Sequence, residues 1–187
     1  MATKRSVTPK SDVASLKKEL AAREKEHKKS LRVQSALYKI ADAASASKNL
    51  ETFYKTVHKI VGKLMYAENF FIAFHDKTTD IISFPYYVDS SKGTPPMPHP
   101  LNQSGGGTRI VLKAMQPVHV TRSDVDKLIA EGEMELREPL AEDLMGVPFI
   151  VDKNLDGVIV IQNYRKEIAY TDTDLEVLVF VAQHIAT

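Results

Sequence analysis

The sequence predicts an α+β domain. A mostly antiparallel β-sheet is covered by terminal helices on one face and by loops with short helices on the other. Two observations support this. Two pairs of short β-branched and aromatic runs are each joined by a polar turn, which is typical of β-hairpins. Amphipathic helices lie at both ends of the chain, where they can pack together over one face of the sheet. A chain of 187 residues has room for one such domain and a further segment.

The first 33 residues differ in charge from the rest of the chain. They carry a net charge of +6, whereas the remaining residues carry −5. We expect residues 1–11 to be disordered and residues 12–33 to form a basic helix with weak coiled-coil character. Val13, Leu16 and Leu20 stand there at three- and four-residue spacing. The segment has no interleaved aromatic residues, so we interpret its charge as a solvated helix face and expect no nucleic-acid partner.

The domain itself is expected over residues 34–187. The first helix continues into it, and Asn49 caps a second helix, whose strongly amphipathic pattern predicts a buried apolar face. A hairpin follows, with strands over residues 69–76 and 81–89 around a polar turn. Pro85 interrupts the second strand, which therefore lies at a sheet edge or contains a bulge.

Residues 90–107 form a long loop, because four prolines and four glycines prevent regular structure there. The loop leads into a short helix over residues 108–115 and a strand over residues 118–121. The glycines Gly105–Gly107 precede that helix, and Arg109 lies in its first turn. Two interpretations stay open: an anion-binding helix start assisted by the arginine, or a flexible hinge.

A further short helix follows, for which Ser123 or Asp124 is the expected cap and Gly132 the expected end. Residues 133–143 form an acidic connection. The second hairpin is clear, with strands over residues 144–151 and 157–163.

The last helix is capped by Thr171 or Asp172 and runs to the end of the sequence. Its apolar residues occupy two sides, with Phe180 and Val181 outside the main stripe. We therefore expect the helix to bury one side on the domain and the other on a second helix.

Four strings together resemble the GAF domain, a sensory module of signalling proteins. They are LYKIADAASASKNLETFYKTVHKIVGKLMYAENFFIAFHD, DIISFPYYVD, DLMGVPFIVDKNLDGVIVIQNY and YTDTDLEVLVFVAQHIAT. The resemblance covers about residues 34–187 and is greatest to GAF domains that precede a GGDEF diguanylate cyclase or a histidine kinase. It implies a GAF-like fold, profilin-like and related to PAS domains, with a ligand pocket under the loops. It also implies an output domain outside this chain, into which we expect the last helix to continue.

The residue types present exclude several activities. The chain has no cysteine, which excludes the thiol mechanism of GAF-type methionine sulfoxide reductases and covalent bilin attachment. There is no nucleophile motif, no cyclic-nucleotide pattern of the phosphodiesterase type, and no histidine pair at metal-binding spacing. We expect no catalytic residue, no metal and no tightly held cofactor, and we predict that this chain is not an enzyme.

A small molecule is expected between the sheet and loop 90–107. Both faces of the sheet are covered, so strand alternation does not tell which residues face the pocket. The candidate lining residues are Phe71, Ala73, Phe84, Tyr86, Arg109, Met115, His119, Leu144, Gly146 and Pro148.

Two functions stay open at this point. The first is a sensor that binds a small molecule and relays the event through dimeric terminal helices to the output domain. The alternative is a dimerisation and relay module without a ligand. Both predict a homodimer through residues 12–47 and 172–187. No apolar run is long enough to span a membrane and no signal peptide is present, so we expect a cytoplasmic protein without membrane insertion.

Overall fold

The computed structural model describes residues 9–47, 49–91, 93–136 and 139–186, with side chains described from Val13 onward. It contains five α-helices and six strands within those ranges. The helices are α1 (Pro9–Ala46), α2 (Leu50–Val61), α3 (Gly107–Ala114), α4 (Arg122–Ala130) and α5 (Asp172–Ile185). The strands are β1 (Asn69–Asp76), β2 (Ile81–Val88), β3 (His99–Pro100), β4 (Val118–Thr121), β5 (Asp143–Ile150) and β6 (Leu155–Asn163).

The strands form one antiparallel sheet in the order β3-β2-β1-β6-β5-β4. Both predicted hairpins are confirmed, as β1–β2 and β5–β6. The observed sheet and helices confirm the predicted α+β class. The long loop after β2 has only the two-residue strand β3 and a 3-10 turn at Leu101–Gln103.

The chain divides into two units, with the boundary between Ser35 and Ala36. In the first unit α1 begins at Pro9, two residues before the expected end of the disordered N-terminus; residues 1–8 lie outside the described residues. Proline suits the first turn of a helix, because the N–H that it lacks has no partner there in any case. Within this unit α1 exposes the apolar side chains of Val13, Leu16, Leu20 and Leu31.

In the second unit, α2 and α5 begin at side-chain caps that the sequence predicts. Asn49 Oδ1 accepts a hydrogen bond from Thr52 N at 2.8 Å. Thr171 and Asp174 form a reciprocal capping box at the start of α5. The cap predicted for α4 is wrong: Thr121 precedes that helix, and its N–H and hydroxyl both donate to Asp124 Oδ2. Asp124 is therefore the third residue of the helix rather than its cap.

A bulge in β2 changes which residues face each side of the sheet. Ile72 pairs with Tyr86 and Phe74 pairs with Ser83, so two residues, one of them Pro85, stand opposite Ala73. This confirms the bulge predicted from the proline. The extra residue shifts the alternation by one.

The two faces of the sheet are buried by different elements. Helices α2 and α5 cover the face that carries Phe70, Ile159 and Met145. The opposite face carries Phe71, Val160 and Leu144 and packs against α3, α4 and the long loop. This second face holds the candidate site.

Candidate functional site

A cavity of ≈ 120 Å³ lies between the sheet and the start of α3, under the long loop. We call it the main cavity. Its floor is apolar, and its walls bring several polar groups together. The lining residues are Phe71, Phe84, Tyr87, Asp89, Pro96, His99, Ser104, Gly106, Gly107, Thr108, Val160 and Gln162.

Long-range backbone hydrogen bonds hold the loop over the cavity. Leu101 N donates to Asp80 O at 3.1 Å, which ties the loop to the turn between β1 and β2. Glu135 N donates to Gly105 O at 2.9 Å, which ties the glycine segment to the connection after α4. The roof of the main cavity is therefore fixed at two points that are remote in sequence.

Aromatic rings form much of the cavity wall because of the bulge at Pro85. The shifted alternation places Phe84 and Tyr87 on the same face as Phe71. The rings of Phe71 and Tyr87 are stacked with their centroids 4.5 Å apart. The ring of His99 stacks on Phe84 at 6.1 Å, and its Nδ1 donates to Met97 O at 2.7 Å.

A buried carboxylate stands at one side of the main cavity. Asp89 Oδ2 accepts hydrogen bonds from the hydroxyls of Tyr164, at 2.9 Å, and Tyr87, at 3.2 Å. Its Oδ1 accepts from Ser91 N at 2.8 Å. Gln162 Nε2 in turn donates to the Tyr164 hydroxyl at 2.6 Å. Burial, and then the charge of Asp89, raise the pKa of Tyr164 well above its ordinary value.

The N-terminus of α3 forms the other side of the main cavity. Its N-cap residue is Gly106, which has no side chain to accept a hydrogen bond from the helix. Ser104 and Thr108 flank this glycine and are both buried. The packing of α3 on the sheet leaves little space, because a Cβ at Gly107 would overlap Leu144 and a Cβ at Gly146 would overlap Val111.

A smaller cavity of ≈ 60 Å³, which we call the side cavity, adjoins the main one. The two share the lining residues Gly106, Gly107 and Gln162. The side cavity extends toward α4 and the connection after it, and it is lined further by Gly105, Val125, Met134, Glu135, Pro139, Leu140, Ala141 and Leu144.

Three of the residues predicted from the sequence lie at these cavities. Phe71 and Phe84 line the main cavity, and Leu144 lines the side cavity. Ala73 and Pro148 lie on the same face of the sheet but line neither cavity. Gly146 is on this face as well, and its role is to let Val111 of α3 approach the sheet.

Tyr86 and His119 were expected at the pocket and lie on the opposite face of the sheet. The bulge turns Tyr86 toward α2, where its hydroxyl donates to His58 Nδ1 at 2.8 Å. His58 Nε2 is the donor to Ala67 O, at 2.6 Å. His119 pairs with Met145 in the sheet, and its Nε2 contacts the buried Asp143 Oδ1 at 2.7 Å. Strand alternation therefore excludes both residues from the cavities.

Arg109 and Met115 are the remaining corrections. The Arg109 guanidinium points away from the cavities and contacts Glu133, with Nη2 3.8 Å from Oε2. It therefore does not assist at the start of α3. Met115 ends α3 in the left-handed region, with φ 48°, and its side chain is exposed.

Sequence reasoning missed the polar residues of the main cavity. Asp89 follows β2 directly, and a single acidic residue after a strand is typical of the start of a turn. Gln162 lies near the end of β6 and Tyr164 follows that strand, and the pairing of β6 with β1 brings both to Asp89. Pro85 was the only usable signal in the sequence. The bulge that it predicts places Tyr87 on a different face of the sheet from the one that simple alternation gives.

Within the described ranges no group of three or more histidine or acidic residues has the arrangement of a metal site. Among the helices described, none combines the length and the apolar character needed to cross a membrane.

Comparison with known proteins identifies the family. A family model described as the GAF domain matches residues 47–187. No curated protein matches the chain. A similar solved structure is the GAF domain of a phosphoenolpyruvate-protein phosphotransferase from Coxiella burnetii. It is 17% identical with a TM-score of 0.65, and the match covers 83% of this chain and 91% of that one.

Two other solved structures share the fold at similarly low identity. One is a methyl-accepting chemotaxis protein, residues 122 to 287, at 18% identity and a TM-score of 0.63, covering 79% of this chain and 92% of that one. The other is a phycocyanobilin-bound GAF domain from a cyanobacterial phytochrome, at 13% identity and a TM-score of 0.59, covering 82% and 91%. The family model covers most of the chain, and these structures share its fold. The chain belongs to the GAF-domain family.

Proposed function

We propose that this GAF domain binds a small molecule in the main cavity and relays binding through its terminal helices to an output domain. GAF domains are sensory and regulatory signalling modules, which sets the general role. The observation that carries the ligand proposal is the main cavity itself. It combines an apolar floor with convergent polar groups, which is the usual composition of a small-molecule site.

The ligand is proposed to be held without a covalent bond to a thiol. The chain contains no cysteine, so a thioether link cannot form. The cavity volume sets the size of the ligand. One water needs about 10–15 Å³ of such space, so ≈ 120 Å³ accommodates a compound of about ten non-hydrogen atoms.

The sheet provides a route from the cavity to the helices. Strands β1 and β6 present Phe71 and Val160 to the main cavity. The neighbouring residues of the same strands, Phe70 and Ile161, face the helix side and are fully buried. A shift of either strand on ligand binding would change the packing under α2 and α5, because a close-packed core transmits displacement.

A homodimer is proposed to complete the relay. Apolar side chains of α1 remain exposed, and so does Phe180 of α5, which is 46% exposed. A second copy of this chain is the proposed occupant, because the apolar positions of α1 have the spacing of a helix-pairing seam. We therefore keep residues 12–47 and 172–187 as the proposed dimer surface.

A relay module without a ligand is the alternative. Phe71, Phe84 and Tyr87 all project into the main cavity and reduce its volume. Small shifts of these rings would close the cavity and leave only the helices to carry the function.

The experiment is mass spectrometry of small molecules released from freshly purified protein on denaturation. Wild type is compared with Gly106→Leu, since Gly106 lines both cavities, has extended backbone and leaves open space for a Cβ. Ser123→Leu, at an exposed site in the first turn of α4, is the control. We expect a stoichiometric compound from wild type and the control, and its loss from Gly106→Leu. An empty extract, together with no thermal stabilisation by a metabolite library, would overturn the proposal and favour the ligand-free relay.

A further inference from the structure

The start of α3 presents unused hydrogen-bond donors to the main cavity. The first N–H groups of a helix have no partner within it, and a capping side chain usually satisfies some of them. Here the N-cap is Gly106, which offers no acceptor. Arg109 N donates to Gly106 O at 3.1 Å, but the N–H groups of Gly107 and Thr108 have no partner among the described residues.

Two residues that carry hydroxyl groups add to this end of the cavity. Ser104 is 5% exposed and Thr108 is 6% exposed, and both line the main cavity. Neither hydroxyl has a hydrogen-bond partner within the part of the chain that the structure describes. An acceptor supplied by a ligand in the cavity would give both hydroxyls a hydrogen-bond partner.

The dipole of α3 favours a single negative charge at this end of the cavity. The helix dipole places partial positive charge at the N-terminus of α3, and the four groups there are all able to donate. The carboxyl group of Glu135 packs against Gly105 beside this end, and Asp89 lies on the opposite side of the cavity. Both carboxyl groups penalise a second negative charge on the same ligand. A phosphate group carries close to two negative charges at neutral pH, whereas a carboxylate carries one.

We propose that the α3 end of the main cavity binds the carboxylate of a small monocarboxylic acid. The remainder of the acid lies against Phe71, Phe84 and Val160. The inference rests on the proposed function and adds to it the chemical class of the ligand. Gly106 allows the close approach, since no atom lies within 4 Å of the position that its Cβ would occupy.

The test is a ¹⁵N-resolved NMR titration of the full chain with sodium benzoate and, separately, sodium acetate. Benzamide is the neutral counterpart of benzoate, and inorganic phosphate is the competing anion. The variants are Ser104→Ala and Thr108→Val, each of which removes one hydroxyl and keeps most of the side-chain volume. Ser123→Ala, at an exposed site in the first turn of α4, is the matched control. The spectra also report whether each variant is folded.

We expect both carboxylates to shift the amide signals of Gly106, Gly107 and Thr108, with benzoate binding more tightly because of the apolar wall. Each hydroxyl variant should weaken benzoate binding by about tenfold, the cost of one hydrogen bond to a charged group, and the control should not. Equal binding of benzamide or phosphate would overturn the inference, as would no shift with either carboxylate. Such a failure would not by itself overturn the proposed function. A neutral or cationic compound released in the mass-spectrometry experiment would contradict the carboxylate inference and still support a small-molecule sensor.

Discussion

Replacing Gly146 by alanine tests the packing that places α3 at the cavity. Gly146 lies in β5 directly beneath α3, and a Cβ there would overlap Val111 Cγ2. Val111 is completely buried, so it has no free space into which to move. Adding a methyl group to a filled core costs about 1–3 kcal/mol of unfolding free energy. In a unit of this size the melting temperature should then fall by roughly 3–10 °C.

A double-mutant cycle with Val111→Ala tests whether the overlap with Val111 causes the destabilisation by Gly146→Ala. That change alone removes two buried methyl groups and should cost about 1.6 kcal/mol for the lost burial, and more for the cavity left behind. In the double variant the methyl group of the new alanine occupies part of the vacated space. The loss of unfolding free energy in the double variant should therefore be smaller than the sum of the two single losses by about 0.5–3 kcal/mol.

The assay is urea unfolding followed by circular dichroism for wild type, both single variants and the double variant. Gly62→Ala is the control, because the backbone of Gly62 is right-handed helical and a Cβ there would make only ordinary van der Waals contacts. We expect this control to be neutral or slightly stabilising. A Gly146→Ala variant as stable as wild type, or strict additivity in the cycle, would refute the packing of α3 described here.

Three further predictions concern a cap, the dimer and the tyrosines. Thr171→Ala should lower the unfolding free energy by about 1 kcal/mol, measured by urea unfolding, since it removes the capping box of α5. Phe180→Arg should shift sedimentation from dimer to monomer, whereas Ile150→Arg, at another exposed apolar site, should not. Burial raises the pKa of five tyrosines, so absorbance titration should show phenolate forming later than in the unfolded chain. Stability should therefore fall as pH rises above about 10, where the unfolded chain releases protons that the folded chain retains.

Each of these has a contrary result. A cap variant with unchanged stability would show that α5 does not depend on its first turn. Equal sedimentation of Phe180→Arg and wild type would exclude that surface from the dimer. Val181, which the sequence pattern placed beside Phe180 outside the main apolar stripe, is unsuitable for this test. Its side chain is fully buried within the domain, so a charge there would unfold the protein. A tyrosine titration identical in folded and unfolded protein would contradict the burial described.

Most of the elements could be predicted because local patterns determine them. Strand β1 was predicted residue for residue, since β-branched and aromatic residues end there in a polar turn. The caps of α2 and α5 follow from Asn49 and Thr171 alone. Even Pro85 gave a correct signal, because proline lacks the N–H that a regular ladder needs.

The site was harder to predict because its geometry depends on contacts between distant residues. The path of the long loop depends on backbone hydrogen bonds from Leu101 and Glu135 to remote residues. The bulge reverses the facing of Tyr86 and Tyr87, which no count of alternating residues reveals. Asp89 meets Tyr164 only because β1 and β6 are neighbours in the sheet. The sequence pattern therefore predicted the helices and strands, whereas the sheet topology determined which side chains come into contact.

A crystal structure of the protein, purified rapidly and without added ligand, tests the binding proposal most directly. We predict electron density for a compound in the main cavity, in contact with Ser104 and Thr108 and lying against Phe71. A main cavity that holds only ordered water, or one closed by Phe84 and Tyr87, would contradict the proposal that this domain is a small-molecule sensor.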